Sequence, residues 1–412
     1  MEPLIPQSRI DHDAMKVIYR LRRYGHKAYL VGGCVRDSLL GLKPKDFDVA
    51  TSAQPQEIKK IFTNCRLIGH RFRLAHIIFR GKIIETATFR SSQGFEQDQD
   101  LLIRSDNVFG TEEEDARRRD FTVNALFYDP VEQRLIDYVG GLEDIRTRRL
   151  RFIGDPRLRV CEDPVRILRA IRLSARLDLS MDDELMQVLT EYRHYLQKSA
   201  HPRLLEEIIR MLRSGASARA MMLMWRTRVL EVILPEVGAY LASAPEREEI
   251  REPGAGLFAL LGAVDQSQRE LLSNPVLISC LLLPVVEDAV DGGNGRYHLP
   301  HNLHAAGELA CHLLERWVRE LSLPRWQRAR VQQLLALERK LRHLHIRHPL
   351  PHGLVKRSCF PEVVDLFGCI VRASGRGQQQ YKLLLRLARR RNHVTPAPEG
   401  GKNEAQRQNQ AG

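Results

Sequence analysis

An α+β head followed by an all-helical remainder is the fold class the sequence predicts, and two changes of pattern along the chain predict it. Up to about residue 145, short apolar runs bounded by Gly, Pro and Asp alternate with amphipathic segments, as when a mixed sheet is built with helices. Beyond Asp155 the apolar residues recur at i, i+3 and i+4, and the strand pattern stops. With 412 residues, 43% of them hydrophobic, the chain is long enough for two to four domains. We expect a head over 1–150, a helical neck over 151–240, a helical body with a basic C-terminal region over 241–394, and a disordered polar tail over 395–412.

The elements follow in order. Residues 14–25 place Ala14, Val17, Ile18 and Leu21 on one helical face and stop at Gly25. Residues 28–31 form a short buried strand, the Gly32-Gly33 pair a tight turn, and residues 35–40 a helix closed by Gly41. Further strands are expected over 47–50, 73–79, 83–89, 122–128 and 134–138, with a helix over 56–62. Residues 91–106, rich in Gln, Ser and Asp and without periodicity, read as a mobile loop. The long downstream helices are expected over 164–177, 203–212, 305–321 and 327–344.

Several classes are set aside by composition. The first thirteen residues carry acids and prolines in place of a basic region and an apolar run, so no targeting segment is expected. The longest apolar stretch, 275–286, is too short to span a bilayer and contains Pro284, so a cytoplasmic protein without a membrane segment is expected. Cys34, Cys65, Cys161, Cys280, Cys311, Cys359 and Cys369 are odd in number and form no CxxC, which points to buried free thiols. His301, His304, His343, His345 and His348 lack carboxylates at metal-ligand spacing and read as solvated or packing residues.

The net charge of +13 is concentrated late in the chain: residues 321–390 hold fifteen Lys or Arg against Glu338, Glu362 and Asp365, whereas the first 150 residues are nearly balanced. A polyanion such as RNA is the natural partner, the alternative being a solvated basic surface. Arg386, Arg389, Arg390 and Arg391, with Lys382, flank Leu383, Leu384, Leu385 and Leu387, so a helix could dock by the leucines and offer its arginines to RNA phosphates.

Asp46-Phe47-Asp48 carries the chemistry. In a strand, residues i and i+2 share a face, so two carboxylates would stand side by side with Phe47 turned into the core. Such a pair repels, and a hard cation, Mg²⁺ or Mn²⁺, would relieve it. Thirteen residues before Asp46, Gly33 closes the Gly32-Gly33 turn that opens a helix, where backbone N–H groups can approach a triphosphate and Arg36 can add a fork of donors. Glu85, an acid in an otherwise apolar strand, is either a third carboxylate or an exposed strand residue.

A glycine turn followed by DxD on the next strand resembles the polymerase β nucleotidyltransferase superfamily. Five ordered blocks, LVGGCVRD at 30–37, KDFDVAT at 45–51, RRRDFTVNALFYD at 117–129, DYVGGLEDI at 137–145 and EDPVRILRAIR at 162–172, resemble the class II branch of bacterial poly(A) polymerases and CCA-adding tRNA nucleotidyltransferases. The resemblance spans roughly residues 14–215. It implies Asp46 and Asp48 as metal ligands with Asp120 in the same catalytic site, and Gly32, Gly33, Arg36, Asp37, Arg119 and Asn124 around the incoming nucleotide, which is ATP. It further implies that Asp163 and Arg166 read the base edge, with Arg169 on the same helical face. Asp163 before Pro164 also fits a helix N-cap and N1 pair. The stretch CRLIGHRFRLAH at 65–76 looks like the one that separates poly(A) polymerases from CCA-adding relatives, although His70 and Cys34 depart from the usual residues. The expected activity is addition of AMP from ATP to RNA 3′ ends. CCA addition and a non-catalytic RNA-binding role are the rivals.

Overall fold

In a computed structural model of the protein, the described residues are 5–69, 74–91, 96–97, 103–105, 108–243, 255–268, 271–290, 305–342 and 352–394. They divide into two compact units, one of Met1–Glu207 with Met222–Ile233, the other of Ile208–Met221 with Leu234–Gly412.

The first unit is built on a seven-stranded sheet. Its elements are α1 (His12–Arg23), β1 (Ala28–Val31), α2 (Gly33–Leu39), β2 (Asp48–Thr51), α3 (Pro55–Ile61), β3 (Cys65–Ile68), β4 (Leu74–Phe79), β5 (Lys82–Thr88), β6 (Glu96–Gln97), β7 (Ile103–Ser105), α4 (Glu112–Arg118), β8 (Phe127–Asp129), β9 (Arg134–Ile136) and α5 (Gly141–Arg146). The strand order is β3-β4-β5-β2-β1-β8-β9. Only β2 and β5 run parallel, so the sheet is mixed as expected.

Asp11 caps α1, accepting from the backbone N–H groups of Asp13 and Ala14, and Ala14, Val17, Ile18 and Leu21 pack against one side of β1 and β2. The other side is an aromatic core in which Tyr29, Phe89 and Phe127 meet with ring centroids 6.0–6.2 Å apart, sealed by Ala50, Ala116 and Ala125. Rings in such contact contribute about 0.5–1.5 kcal/mol per pair beyond the area they bury, which holds the central strands rigidly under the site.

Two expectations for the head fail. Residues 122–128 do not form one strand: Thr122–Asn124 is a 3₁₀ turn and pairing begins at Phe127. The turn is imposed from outside, because Thr122 Oγ1 donates to Asp144 at 2.5 Å and α5 lies so close that a Cβ on Gly141 would meet the Thr122 carbonyl oxygen at 2.2 Å. Residues 91–106 are not an element-free loop, since β6 and β7 pair antiparallel within them, while 92–95, 98–102 and 106 lie outside the described residues. The expected tail 395–412 and His70 lie outside them too.

From Pro156 onward every described element is helical: α6 (Pro156–Glu162), α7 (Val165–Leu177), α8 (Asp183–Glu191), a 3₁₀ segment at Tyr192–Lys198, α9 (His201–Leu212), α10 (Ser217–Arg226), α11 (Leu230–Ile233) and α12 (Pro235–Ser243). The second unit, which takes in α12 and parts of α9 and α10, continues with α13 (Ala255–Asp265), α14 (Asn274–Val290), α15 (Ala305–Glu320), α16 (Arg325–Arg342), α17 (His352–Lys356), α18 (Phe360–Ser374) and α19 (Gln378–Val394). The apolar stretch 275–286 is the hub of this unit: α14 is buried all round, and α13, α15, α16 and α18 pack against it. Among the described residues, no helix is long and apolar enough to cross a membrane. All seven cysteines are free, and Cys34, Cys65, Cys280, Cys359 and Cys369 are buried.

Candidate active site

The antiparallel register between β1 and β2 ends at Val31 opposite Asp48, because Gly32 turns the chain away with φ +72°. Asp48 is therefore the first residue of its strand, and Asp46 overhangs the end of the sheet, exposed to solvent. The expectation that Phe47 enters the core also fails: with no β1 partner beyond Val31, Phe47 is only half-buried. One step along the parallel register that pairs Val49 with Thr86 sets Glu85 beside Asp48. Glu85 stands on the exposed side of β5, with an oxygen 3.7 Å from His76 Nε2 on β4.

Burial, the neighbouring Glu85 and, more weakly, Asp46 push the Asp48 carboxyl up to about 6, against the opposing pull of Arg119. Among the described residues no three carboxylate, histidine or cysteine side chains lie close enough to hold a cation by themselves. The donor set nonetheless suits Mg²⁺, which keeps several waters and is commonly held by one or two carboxylates together with substrate phosphates. A cation there would remove the repulsion that raises Asp48.

The glycine turn lies next to these carboxylates. Gly32 donates its N–H to the Leu126 carbonyl at 3.2 Å and precedes α2, and a Cβ at Gly32 would meet Arg119 Nη1 at 3.4 Å and the Asn124 carbonyl at 3.6 Å. Arg119 is itself anchored, donating to Asp115 at 2.8 and 3.2 Å and resting over the Phe127 ring at 5.3 Å. Asp115 belongs to α4, whose start is fixed by the Thr111–Glu114 capping box. Cys34, between the turn and the carboxylates, has its thiol pushed up to about 12 by burial and by Asp48.

Arg36 and Asp37 do not face outward. Arg36 is buried and donates to Asp37 at 2.6 and 2.8 Å and to Asn124 Oδ1. Burial lowers its pKa, although Asp37 opposes this. Asp37 takes a second ion pair from Arg176 at 2.9 Å. Asp120 is buried in an arginine-rich surround. It accepts from the Phe121 N–H at 2.9 Å and Asn124 Nδ2 at 3.2 Å, and its second oxygen lies 2.7 Å from Arg169 Nη2. That last approach is ionic without hydrogen-bond geometry, so the oxygen remains without a hydrogen-bond donor. Burial alone would raise the Asp120 pKa, but Arg169 and Arg166 hold it below the usual carboxylate range.

The segment 159–203 forms a second layer of charge. Arg166 donates to Glu162 at 2.8 Å and to the Arg159 carbonyl at 2.7 Å, and Glu162 also takes Arg159 at 2.6 Å. Burial and the neighbouring Arg166 lower Arg159 to about 10. The capping alternative for Asp163 is overturned: its side chain makes no cap contact with α7 and is gripped by both Nη atoms of Arg203, at 2.9 and 2.7 Å. Burial opposes ionisation of Asp163, and the Arg203 hydrogen bonds keep its pKa low nonetheless. The sequence does not single out Asp115, Arg159, Arg176 or Arg203. Its only sign of them is that arginines on an otherwise apolar helix require carboxylate partners.

On α19, Arg386, Arg389 and Arg390 are exposed, but only Leu384 of the leucine stripe is buried and Leu383 is 37% exposed. The helix presents Leu384 inward and shares Leu383 with solvent, so the docking stripe is narrower than expected. The side chain of Arg391 and residues 343–351, with their histidines, lie outside the described residues, as do His301 and His304.

Residues 28–151 match the family model of the Poly A polymerase head domain. Residues 178–241 match that of the probable RNA and SrmB-binding site of polymerase A. Among relatives, Poly(A) polymerase I of Haemophilus influenzae is 42% identical over 275 residues, 65% of this chain and 60% of that one. Poly(A) polymerase I of Escherichia coli O157:H7 is 42% identical over 244 residues, 57% of this chain and 52% of the other. A CCA-adding enzyme of Enterococcus faecalis is 32% identical over 284 residues, 67% of this chain and 64% of the other. The chain thus spans 60% or less of the length of these poly(A) polymerases. In fold, the chain is similar to the Bacillus stearothermophilus CCA-adding enzyme solved in complex with CTP, with TM-score 0.64, 24% identity, and coverage of 96% of this chain and 84% of that one.

Proposed function

We propose, from the premise that residues 28–151 are a Poly A polymerase head domain, that this chain transfers AMP from ATP to RNA 3′ ends without a template, as part of RNA processing and decay. The observation that supports it most directly is the carboxylate pair at the sheet end, with Asp48 raised to about 6, beside a positive-φ glycine turn. Asp46 and Asp48 would hold Mg²⁺ or Mn²⁺ between them, with Glu85 as a third ligand once turned from His76. When bound, the cation supplies positive charge that favours deprotonation of the 3′ hydroxyl and departure of pyrophosphate.

The remaining work falls to this chain's own residues. Gly32 and Gly33 let the backbone approach the triphosphate without Cβ interference, and Arg119, fixed by Asp115, stands over the same turn. Asp120, Arg169, Asn124, Arg36 and Asp37 form a connected set that positions the ribose and phosphates. Asp163, oriented by Arg203, and Arg166, oriented by Glu162, read the base edge. Arg386, Arg389, Arg390 and Arg391 contact RNA phosphates along α19.

CCA addition to tRNA is the second reading, favoured by CCA-adding relatives at 32–36% identity. The poly(A) polymerase relatives at 42% favour adenylation. Incubation of the chain with Mg²⁺, a generic RNA or a tRNA lacking its 3′ end, and each nucleoside triphosphate separates the two. Long tails from ATP alone support adenylation. A short stop requiring CTP and ATP supports CCA addition, and no incorporation with any triphosphate overturns both.

A further inference from the structure

The second unit exposes a tryptophan where its helix should show only polar residues. In α16 the buried residues are Gln327, Val331, Leu334, Leu335, Leu337, Glu338 and Leu341, mostly at the i+3 and i+4 spacing of a core-facing side. Trp326 lies off that side, on the outward ridge with Ala329 and Gln333, and is 63% exposed. Trp317, by contrast, is 1% exposed in the core of the same unit. An exposed indole offers a large, flat and rigid face on which a planar ligand can stack.

The surroundings name the chemistry of that ligand. Arg325 and Arg328 flank Trp326 on the first turn of α16 and form no ion pair among the described residues. Arg330, one turn on, donates to Ser358 at 3.1 Å, which brings the end of α17, with the exposed Lys356, next to α16. Glu362 is bound to Arg330 at 3.2 Å. An aromatic ring among cations is the recognition pattern for single-stranded nucleic acid: a base stacks on the ring and phosphates meet the charges, without regard to sequence.

We infer that Trp326 is a stacking platform for single-stranded RNA, with Arg325, Arg328 and Lys356 taking the adjoining phosphates. The inference rests on the proposed action on RNA, and adds a binding site distinct from the catalytic carboxylates. A template-free polymerase has no duplex to grip, and a sequence-tolerant stack beside cations holds any strand.

The test uses the full chain and oligoadenylate, without ATP. Stacking quenches indole fluorescence, and the difference between wild type and Trp326→Phe isolates this residue from Trp225 and Trp317. We expect saturable quenching by A₂₀, Trp326→Ala binding A₂₀ about 5- to 150-fold more weakly, and Trp326→Phe retaining most of the affinity. Arg325→Gln with Arg328→Gln should flatten the salt slope by about 0.7 for each phosphate no longer neutralised. Near-UV circular dichroism reports whether each variant remains folded. Unchanged A₂₀ affinity in a folded Trp326→Ala, or absence of quenching at saturating RNA, overturns the inference and leaves the ridge to a partner other than RNA. Nucleotide addition to short primers is measured separately. Its failure would refute the proposed activity without touching the stacking result, and intact addition with no Trp326 effect refutes only the stacking.

Discussion

Replacing Asp48 by Asn should stabilise the metal-free protein while abolishing nucleotide addition. The Asp48 carboxyl moves from its ordinary 3.8 to about 6, chiefly through burial and then through Glu85. A raised carboxyl favours the protonated form in the fold, so its contribution is most favourable below about pH 3.8 and is lost as pH rises through about 6. At pH 8 the fold carries the whole cost of the ionised group. About two pKa units correspond to about 3 kcal/mol, which partial exposure of the side chain reduces to about 1–3 kcal/mol. Asparagine keeps the volume and carries no charge. In chelator, the variant's melting temperature should therefore exceed wild type's by about 2–4 °C per kcal/mol at pH 8, and the gap should close towards pH 4. Mg²⁺ should narrow the gap by binding wild type alone, and incorporation of labelled AMP should vanish in the variant. A gap that does not change with pH, or Mg²⁺ stabilisation equal in both proteins, would refute this account of the carboxylate pair.

Arg166→Ala should relax the preference for ATP over CTP, and should also lower stability by about 1.5–3 kcal/mol because the half-buried Glu162 loses one of its two arginine partners and keeps only Arg159. Comparing kcat/KM for the two triphosphates with urea midpoints separates these effects: lost stability with unchanged preference would leave Arg166 a purely structural residue. Replacing Arg386, Arg389, Arg390 and Arg391 by Gln should raise the KM for RNA and flatten its salt dependence, with the KM for ATP little changed. An RNA KM that does not move would show these charges to be only a solvated face.

The central strand β1 is legible because Ala28–Val31 is short, apolar and lies between Gly25 and Gly32. Residues 65–68 give no such pattern: Arg66 is exposed and only Cys65 is buried, since β3 is an edge strand with one neighbour. The 3₁₀ turn at Thr122 is invisible in the sequence because α5, which enforces it, begins nineteen residues later. Within the site, the motif spacing locates Asp46, Asp48 and the glycine turn. What it does not supply is who holds whom: Asp163 reads locally as a cap, and only the arrival of Arg203, forty residues on, gives its carboxylate another partner.

The four arginines of α7 each end on a carboxylate from elsewhere in the chain: Arg166 on Glu162 of α6, Arg169 on Asp120, Arg172 on Glu207 of α9, and Arg176 on Asp37 of α2. Two of those acids, Asp37 and Asp120, are buried within residues 1–150. The sheet therefore borrows its countercharges from a helix that follows it in sequence. Cut away from α7, a fragment ending at residue 150 would leave Asp37 with Arg36 alone and Asp120 without Arg169, a cost of several kcal/mol for Asp120 if it stayed buried. Emerging from the ribosome, such a head should hold its strands loosely until α7 is made. Competence to bind a nucleotide is then acquired late in synthesis, with the helix acting as a latch that closes only when the chain beyond it exists.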